Sequence, residues 1–513
     1  MPSARNLISI DLGSSGLRLH LGELGADGRL TIETVAAFEN GPVQVGARWY
    51  WDVLRLWSGL GAALAGLAPR LDGPATLSIA SFGVDYVLVD TTGAVIAGPR
   101  HMRDPRTRGV PATAYATLSK ADLYRRTGSM EIEINTLFQL LADRRDQPWL
   151  FDVADALALI PDHLGRLLSG RRFSEISIAS TTQLVDPRTR DWDSRVIEAF
   201  GLPRRLFAPI VESGTVIGPL AADEARRLGF TVPVAVVAAA SHDTASAAAA
   251  IPYEEGASAA FISLGTWSLV GRERAAPDLS DLSRDLNFTN ECGVAGRTVH
   301  HKIQAGLWLA QEVRRRLTIT DPDFDFATFE KAAAASHPLA FVFDADDPLF
   351  RDPDDMIAAI AAWFGQRGEP APTTLGEIAR AIYDSLALSY VDTIVAIERL
   401  TGDPVAVIHV VGGGAGIPTL VQAIADATGR RVVAGPVEAT VIGNFLAQLV
   451  ARGAVADFES GRRLVAASTA PTPYEPHEPE AWRRAHRRLA ERKSPPPAPR
   501  SSTERALEKG LPT

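Results

Sequence analysis

Alternation of apolar and polar positions predicts a β-hairpin near the start of the chain. Leu7–Asp11 runs through the turn residues Gly13–Gly16 into Leu17–Leu21, which alternates with a period of two residues. An Asp27-Gly28 turn then precedes a third predicted strand, Leu30–Phe38. The three segments together indicate an antiparallel meander.

Helical spacing follows at Trp51–Leu67, where Asp52 is a candidate N-cap. Strand character returns over Leu77–Asp90, with Gly83 inside the segment, and the most apolar run of the chain, Val232–Ala240, predicts a buried strand. Strands mixed with helices in this way indicate an α/β fold.

The hairpin pattern recurs after residue 250. Ala259–Ser263 is a predicted strand, Gly265-Thr266 a turn, and Ser268–Gly271 a second strand. The recurrence favours two similar halves, which we place at residues 1–248 and 249–465.

Later segments continue the α/β pattern. The predicted elements are a helix over about 375–400 that ends at Gly402, a strand at Val405–Val411 that runs into Gly412-Gly413-Gly414, a helix opened by Pro418, a strand at Arg431–Ala434 and a last helix near Val441–Arg452. From Lys493 the chain is rich in proline and serine, so residues 493–513 are predicted to be a disordered tail.

Composition narrows the possible functions. The 513 residues are 46% apolar and 22% charged, as in globular proteins, with 52 basic against 61 acidic side chains and a net charge of −9. This acidic balance argues against nucleic acid as a partner. The most apolar run is about half of the ~18 residues that span a bilayer, no secretory leader is expected, and the single Cys292 excludes an internal disulfide and a cysteine-based zinc site. We therefore expect a cytoplasmic protein with no membrane partner.

Asp11 stands at the end of the first strand, directly before the glycine and hydroxyl residues of Gly13–Gly16. Glycine allows the backbone to approach a ligand closely, and N–H groups with serine hydroxyls suit phosphate oxygens. A carboxylate at this position can hold hydrated Mg²⁺. A polar hairpin without a ligand is the alternative, and the sequence has neither a P-loop nor a Rossmann glycine motif.

Two further glycine motifs lie in the second half. Ser263–Ser268 repeats the hydroxyl-bearing hairpin, and Val411–Gly416 joins a strand to a helix, where backbone N–H groups can meet a phosphate or a flat ligand. An ordinary turn and a tight strand-to-helix crossover are the respective alternatives.

Ser241–Ser246 follows the apolar run directly. Polar residues at the carboxyl end of a buried strand are a favoured place for a site in open α/β sheets. Asp243 suits a general base that takes a hydroxyl proton in phosphoryl transfer, and His242 suits a hydrogen bond to a sugar. The alternative is that Asp243 caps a helix beginning at Thr244.

The four motifs together resemble the FGGY carbohydrate kinases, within the actin/hexokinase/Hsp70 ATPase superfamily, from Asp11 to about Arg452. The matching segments include SFGVDYVLVD (81–90), RDPRT (103–107), NTLFQL (135–140), IPDHLGRLLSG (160–170), STTQLVDPRTRDW (180–192), SHDTASA (241–247), GTWSLVG (265–271), TNECGVAGR (289–297), GLWLAQ (306–311), DSLALSY (384–390), VVGGG (410–414) and VAGPVEATVIGN (433–444). The resemblance implies two ribonuclease-H-like domains that close around ATP and a sugar in a catalytic cleft.

Carried over by position, the resemblance implies roles for single residues. Asp243 is expected to be the proton acceptor, Gly83 and His242 to contact the sugar, and Asp11 to be associated with Mg²⁺. The expected ATP contacts are Ser14, Ser15, Gly16, Leu17, Arg18, Thr266, Gln311 and Gly413.

Three positions depart from the pattern of the family members that the chain resembles most. Ile303 stands where an asparagine contacts the sugar, with Gln304 beside it as the candidate contact. Ser81-Phe82 replaces Thr-Trp on the sugar side, and Gly416-Ile417 replaces Gln-Asn on the nucleotide side. Loss of a polar sugar contact changes how a site discriminates between ketoses.

The implied activity is ATP- and Mg²⁺-dependent phosphorylation of a ketose in carbohydrate catabolism, with L-rhamnulose at O1 as the first expectation. The alternatives are another acceptor (L-fuculose, L-xylulose or another pentulose), an actin- or chaperone-like ATPase, and a sugar-sensing regulator. The expected partners are the sugar and ATP, and the chain is expected to act as a monomer or a homo-oligomer.

Overall fold

Strands of the computed structural model, which describes residues 4–254 and 256–493, form two large sheets and four two-stranded pairs. The strands are β1 (Ala4–Leu12), β2 (Gly16–Leu24), β3 (Leu30–Glu39), β4 (Pro42–Val45), β5 (Arg48–Trp51), β6 (Ala75–Ser81), β7 (Tyr86–Val89), β8 (Ala156–Leu159), β9 (Ser174–Glu175), β10 (Val185–Asp186), β11 (Asp191–Trp192), β12 (Ile210–Val211), β13 (Val216–Pro219), β14 (Val234–Val237), β15 (Ala259–Leu264), β16 (Trp267–Arg274), β17 (Thr289–Cys292), β18 (Thr298–Ala305), β19 (Val407–Val411), β20 (Arg431–Ala434) and β21 (Thr472–Tyr474).

Helices lie between these strands and after the last of them. The α-helices are α1 (Val53–Leu67), α2 (Val110–Ala114), α3 (Lys120–Thr127), α4 (Thr136–Asp146), α5 (Leu150–Val153), α6 (Ile160–Ser169), α7 (Ile176–Ser180), α8 (Ser194–Ala199), α9 (Ala222–Leu228), α10 (Asp243–Ala249), α11 (Asp281–Asp285), α12 (Trp308–Leu317), α13 (Phe326–Ala334), α14 (Met356–Gly365), α15 (Leu375–Thr401), α16 (Pro418–Thr428), α17 (Ala439–Ala451), α18 (Phe458–Thr469) and α19 (Pro479–Lys493). The predicted tail lies outside the described residues except for Lys493, where α19 ends.

The first large sheet has the strand order β13-β14-β6-β1-β2-β3. Its strands β1, β2 and β3 pair antiparallel, which confirms the predicted meander. Strand β6 runs parallel to both β1 and β14. The carboxyl ends of β1, β6 and β14 therefore meet at one edge of the sheet.

The second large sheet repeats this arrangement. Its order is β17-β18-β16-β15-β19-β20-β21, with β15 and β16 antiparallel and β15 and β19 parallel. The run β3-β2-β1-β6-β14 of the first sheet thus corresponds to β18-β16-β15-β19-β20 of the second. Each run consists of a hairpin, a third strand on one side of it and two later strands on the other. The hairpin recurrence noted in the sequence is matched by a recurrence of strand order.

Helix α17 covers the face of the first sheet and also packs against α10. Its apolar residue Phe445 is fully buried there. Two buried polar side chains, Asn444 and Gln448, face the sheet, and Gln448 donates to the Ile8 carbonyl at 2.9 Å and accepts from the Thr76 hydroxyl at 2.7 Å. These bonds satisfy the buried amide of Gln448.

Local signals place several helices correctly. The Asp52 side chain accepts from the Arg55 N–H at 2.9 Å and caps α1, as predicted, whereas Trp51 belongs to β5 and not to the helix. Pro418 is the first residue of α16, as expected from its fixed φ. The predicted last helix is not the last, because α18 and α19 follow it.

The strand predicted over Leu77–Asp90 is wrong as a single element. It divides into β6 and β7, which belong to different sheets. At the break Val84 has a φ of 68°, a left-handed conformation that ends a strand. The Val84 N–H donates to the Thr181 hydroxyl at 3.1 Å in place of a ladder partner.

The described chain divides into two compact units. The first comprises residues up to Ile303 together with Val395–Gly416 and Val433–Pro473, and the second comprises Gln304–Ile394, Ile417–Val432 and the residues from Tyr474 onward. These divisions differ from the expected boundary between residues 248 and 249, which stays a prediction. Among the described residues, no helix has both the length and the apolar character needed to cross a bilayer.

Candidate functional site

The carboxyl edge of the first sheet collects four of the predicted site residues. Asp11 lies near the end of β1, Gly83 follows β6, and His242 and Asp243 follow β14. The Ser81 N–H donates to the Ser241 carbonyl at 2.8 Å, which ties the segment after β6 to the segment after β14. This edge is where open α/β sheets carry ligand sites.

His242 is the best-partnered side chain of the group. Its Nδ1 lies 2.7 Å from Oε2 of Glu291, and its Nε2 lies 3.5 Å from Oδ1 of Asp243. Burial by itself would lower the pKa of His242, but the carboxylates of Glu291, Asp243 and Glu175 raise it to about 9. The ring is therefore an imidazolium at neutral pH: Nδ1–H donates to Glu291, and Nε2 carries a second N–H on the side of Asp243.

Asp243 is the first residue of α10, and its side chain keeps 37% of its surface exposed. His242 occupies the N-cap position and no side chain caps the helix, so Asp243 is not the helix cap that the sequence left open. Burial raises the pKa of Asp243, His242 opposes that shift, and Asp11 adds to it. An accessible carboxylate thus stands beside a fixed cation.

Glu175 holds the backbone behind these two residues. Its Oε2 accepts from the Ser241 N–H at 3.0 Å and from the Ser177 hydroxyl at 2.5 Å. The same hydroxyl accepts from the His242 N–H at 3.1 Å. Glu175 is fully buried, and burial raises the pKa of its carboxyl group. These buried hydrogen bonds therefore fix the position of the His242 backbone.

The first glycine hairpin places an arginine on the Asp11 carboxylate. Arg18 stands opposite Asp11 in the ladder, and its Nη2 lies 2.5 Å from Oδ2 of that residue. Its Nη1 lies 3.3 Å from Oε2 of Glu438. The turn is closed by a bond of 2.8 Å from the Gly13 N–H to the Gly16 carbonyl.

The other hairpin residues differ in what they can offer a ligand. Ser14 and Ser15 are exposed, and Gly16 is half-buried. The side chain of Leu17 is fully buried in the core of the first sheet. Leu17 can therefore reach a ligand through its backbone alone.

An aromatic stack borders Gly83. The rings of Phe82 and Trp51 are stacked with centroids 4.5 Å apart and planes 18° apart, and the Trp51 Nε1 donates to Asp85 at 2.5 Å. A Cβ atom built on Gly83 would lie 2.9 Å from Cγ2 of Thr181, which is shorter than the contacts that Cβ atoms make in proteins. Gly83 is thus required by close packing.

The second glycine hairpin and the Gly412–Gly416 turn lie against each other. A Cβ atom on Gly414 would lie 2.1 Å from Cγ of Leu264, the last residue of β15. Thr266 follows that residue in the hairpin and is half-buried, while Gly413 is exposed. The structure therefore brings these two predicted ATP contacts to the same end of the second sheet.

Gln304 and Gln311 belong to the second compact unit. The buried Gln304 amide donates to the Ser389 carbonyl at 3.0 Å and lies 3.4 Å from Oδ2 of Asp346. Gln311 is half-buried on α12. Both residues lie on different segments from the sheet edge that holds Asp243.

Sequence reasoning missed three glutamates that partner the predicted residues: Glu175, Glu291 and Glu438. Glu291 lies in the segment TNECGVAGR and Glu438 in VAGPVEATVIGN, both of which match the family pattern. Their charge could have marked them, but no local spacing pairs either with its partner. The two partners of the Glu438 ion pair are 420 residues apart.

Solved structures of sugar and polyol kinases share this fold. A ligand-bound xylulose kinase from Lactobacillus acidophilus matches with a TM-score of 0.76 at 14% identity, covering 95% of this chain and 97% of that one. A glycerol kinase from Plasmodium falciparum with ADP matches with a TM-score of 0.75 at 13% identity, covering 96% and 99%. The fold is thus the two-domain, actin/hexokinase-like α/β fold of sugar kinases.

Sequence comparison defines the family. Models of the N-terminal and C-terminal domains of the FGGY family of carbohydrate kinases match residues 7–250 and 260–452. A rhamnulokinase from Bacteroides thetaiotaomicron is 35% identical over 482 residues, 94% of this chain and 98% of the relative. One from Enterobacter sp. (strain 638) is 38% identical over 475 residues, 92% and 95%. The chain belongs to the FGGY family of carbohydrate kinases, and it transfers a phosphoryl group from ATP to a sugar.

Proposed function

We propose that the chain phosphorylates L-rhamnulose at O1, giving L-rhamnulose 1-phosphate and ADP, as a step in sugar catabolism. The relatives that carry the name rhamnulokinase and align along nearly the whole chain support this acceptor. The observation that carries the chemistry is the accessible Asp243 carboxylate, held beside the cationic His242.

Asp243 takes the proton from the O1 hydroxyl as that oxygen forms its bond to the γ-phosphorus of ATP. The bond between the γ-phosphorus and the β,γ-bridging oxygen breaks, and the electron pair leaves with ADP. Asp243 is the proposed base and not His242, because the carboxylates around His242 favour its imidazolium form, which has no lone pair to accept a proton. The His242 Nε2–H instead donates to a sugar hydroxyl and keeps the acceptor oriented.

Gly83 and Gln304 are the other expected sugar contacts. Gly83 lets the backbone approach the sugar, and the Phe82–Trp51 stack forms an apolar surface next to it. The Gln304 amide is the polar candidate beside Ile303, in the second compact unit.

The ATP contacts divide between three segments. The exposed hairpin Ser14–Arg18 offers backbone N–H groups and hydroxyls to phosphate oxygens, Thr266 and Gly413 offer a second such surface, and Gln311 is the candidate on α12. Binding through N–H groups and hydroxyls explains how an acidic protein holds an anionic nucleotide.

The donor set around Asp11 fits Mg²⁺. Among the described residues, no group of three or more histidine, cysteine or acidic side chains is placed to hold a metal ion, so Asp11 alone does not form a complete cation site. Mg²⁺ is commonly held by one or two carboxylates together with phosphate oxygens and water. Arg18 bonds to Oδ2 of Asp11, which makes Oδ1 the candidate oxygen for the metal. Bound Mg²⁺ would neutralise charge on the transferred phosphoryl group.

Phe82 and Ile303 favour a second candidate acceptor, such as L-fuculose, L-xylulose or another pentulose. Both residues are apolar where the related pattern has a larger aromatic or a polar residue. A pocket that loses a hydrogen bond to one hydroxyl discriminates less against ketoses that lack or invert it.

A coupled assay of ADP formation tests the proposal with L-rhamnulose, L-fuculose, L-xylulose, L-ribulose and glycerol. We expect the highest kcat/KM with L-rhamnulose, and Asp243→Asn is expected to lower kcat at least about 100-fold while ATP still binds. A higher kcat/KM with another ketose would replace the acceptor. Full turnover by Asp243→Asn would remove Asp243 as the base.

A further inference from the structure

We propose that Glu291 is a positioning residue for phosphoryl transfer: it holds Nδ1 of His242 and so fixes Nε2 opposite the Asp243 carboxylate. This inference rests on the proposed roles of His242 and Asp243. Glu291 lies on β17, within the segment that matches the C-terminal domain, whereas His242 and Asp243 lie within the segment that matches the N-terminal domain. The contact therefore joins the two family domains at the site.

Glu291 has two histidines near its carboxylate, and it forms a hydrogen bond with His242 alone. Its Oε2 lies 2.7 Å from Nδ1 of His242, and its Oε1 lies 3.6 Å from Nε2 of His301. The His301 Nδ1 lies 3.2 Å from the Val299 carbonyl, which can only accept, so Nδ1 carries the proton of that ring. Burial lowers the pKa of His301, so its ring is neutral and its Nε2 has no proton to give Glu291.

Burial makes the bond to His242 strong. The side chain of Glu291 is 7% exposed and that of His242 is 10% exposed, so water competes little for either group. The groups that face His242 are Glu291 from β17, Asp243 from its own segment and Glu175 before α7, with His301 of β18 behind Glu291. Glu291 lies 2.7 Å from the ring and Asp243 lies 3.5 Å from it, so Glu291 makes the closer contact.

Loss of the Glu291 charge changes two properties of the site. Without the carboxylate, burial favours the neutral form of His242, and a neutral ring donates from one nitrogen only. The ring can then turn away from Asp243, so the sugar loses an oriented donor. Asp243 also loses part of the positive charge that opposes its protonation.

Glu291→Gln tests this role because it keeps the size of the side chain and removes its charge. We expect kcat/KM for the best sugar to fall about 100-fold, with KM for ATP within about twofold of the parent value. The acidic limb of the pH profile of kcat/KM is expected to move to higher pH, because Asp243 is protonated more easily. A purely structural role would leave that limb in place.

Glu273→Gln is the matched control. Glu273 is also a strand glutamate with a buried carboxylate, its side chain being 5% exposed, but it pairs with Arg297 and Arg462 and not with His242. We expect a loss of thermal stability in this variant with the pH limb unchanged. An equal shift of the limb in both variants would overturn the proposal.

A double-mutant cycle with His242→Asn keeps the test decisive if Glu291→Gln is unstable. If Glu291 acts through His242, adding Glu291→Gln to His242→Asn lowers kcat/KM by less than about threefold. Full additivity of the two losses would overturn the positioning role. The cycle is measured with the sugar that gives the parent enzyme its highest kcat/KM. An error in the proposed acceptor is therefore detected in the assay of the parent enzyme, whereas an error in the role of Glu291 is detected only in the cycle.

Discussion

Gly83 shows how the site depends on the size of one side chain. It sits where the chain leaves β6, and the hydroxyl and methyl groups of Thr181 fill the space that a Cβ atom would need. The same hydroxyl accepts from the Val84 N–H and donates to the Ile178 carbonyl, so Thr181 cannot rotate without breaking these bonds.

Gly83→Ala is therefore expected to lower the free energy of unfolding by about 1–3 kcal/mol and to raise KM for the sugar. Urea denaturation and steady-state kinetics measure the two effects. Gly41→Ala is the matched control, since a Cβ atom there meets nothing within 4 Å, and we expect no loss of stability. If Gly83→Ala keeps the stability and the sugar KM of the parent protein, Thr181 can move aside for the added methyl group and the prediction is wrong.

Local sequence could predict only part of the site. His242 and Asp243 follow an apolar strand directly, and this arrangement is visible in the sequence. Glu291 is 49 residues from His242 and reaches it through the pairing of distant segments, which leaves no periodic signal. The charge of His242, which decides which group is the base, could therefore not be predicted.

Helices α10 and α17 meet at a glycine. A Cβ atom on Gly443 would lie 1.8 Å from the Ser246 carbonyl oxygen, and the Ser246 hydroxyl donates to the Thr440 carbonyl at 2.9 Å. Since α10 begins at Asp243, this close approach sets the position of the proposed base.

Gly443→Ala is expected to push the two helices apart, lowering the free energy of unfolding by about 3 kcal/mol and reducing kcat. Gly66→Ala in α1 is the control, because nothing lies within 4 Å of its Cβ position and alanine favours a helix by about 1 kcal/mol. Chemical denaturation separates the two variants. Equal stability of both would contradict the close packing of α10 and α17.

Elements with local signals were predictable, and those set by tertiary contacts were not. Asp52 and Pro418 mark helix starts, and alternation marks the hairpins. The break between β6 and β7 depends on Thr181, nearly 100 residues away, so the continuous apolar run was misleading. In α19 the buried residues Trp482 and Leu489 are spaced as on one helix face, but the arginines between them mask it.

The buried histidines of the molecule differ in their protonation state at neutral pH. Burial lowers the pKa of His20, His101 and His163 to about 4 and that of His300 to about 3, whereas Glu291 and the other carboxylates raise the pKa of His242 to about 9. A group with a lowered basic pKa binds fewer protons folded than unfolded. The contribution of such a histidine to the free energy of unfolding is lost as the pH falls from about 6.5 towards 4. The contribution of His242 has the opposite pH dependence, because its pKa is raised: it is present below about pH 6.5 and is lost as the pH rises through 9.

His163→Gln isolates one of these contributions. Relative to the variant, the parent protein is expected to lose stability as the pH falls from about 6.5 to 4, by up to about 1.4 kcal/mol per pH unit. Denaturant titrations at several pH values measure the difference, with His337→Gln at an exposed position as the control. A difference that does not change with pH would contradict a neutral, buried His163.

The molecule's two sheets were foreseeable from the repeated hairpin, but its compact units were not. Each unit combines segments that are far apart in sequence, such as residues up to Ile303 with Val433–Pro473. Composition and periodicity report on neighbours along the chain, so they cannot show which distant segments share a core.

The packing of α17 on β1 also constrains how the chain can be made. Gln448 bonds to the carbonyl of Ile8, a residue 440 positions earlier. At about 5–20 residues per second, the ribosome needs roughly 20–90 s to deliver the helix after the strand. During that interval the apolar face of the first sheet has no helix α17 to cover it. The strands of the first sheet are thus all made well before α17, and the face that this helix covers is buried only late in synthesis.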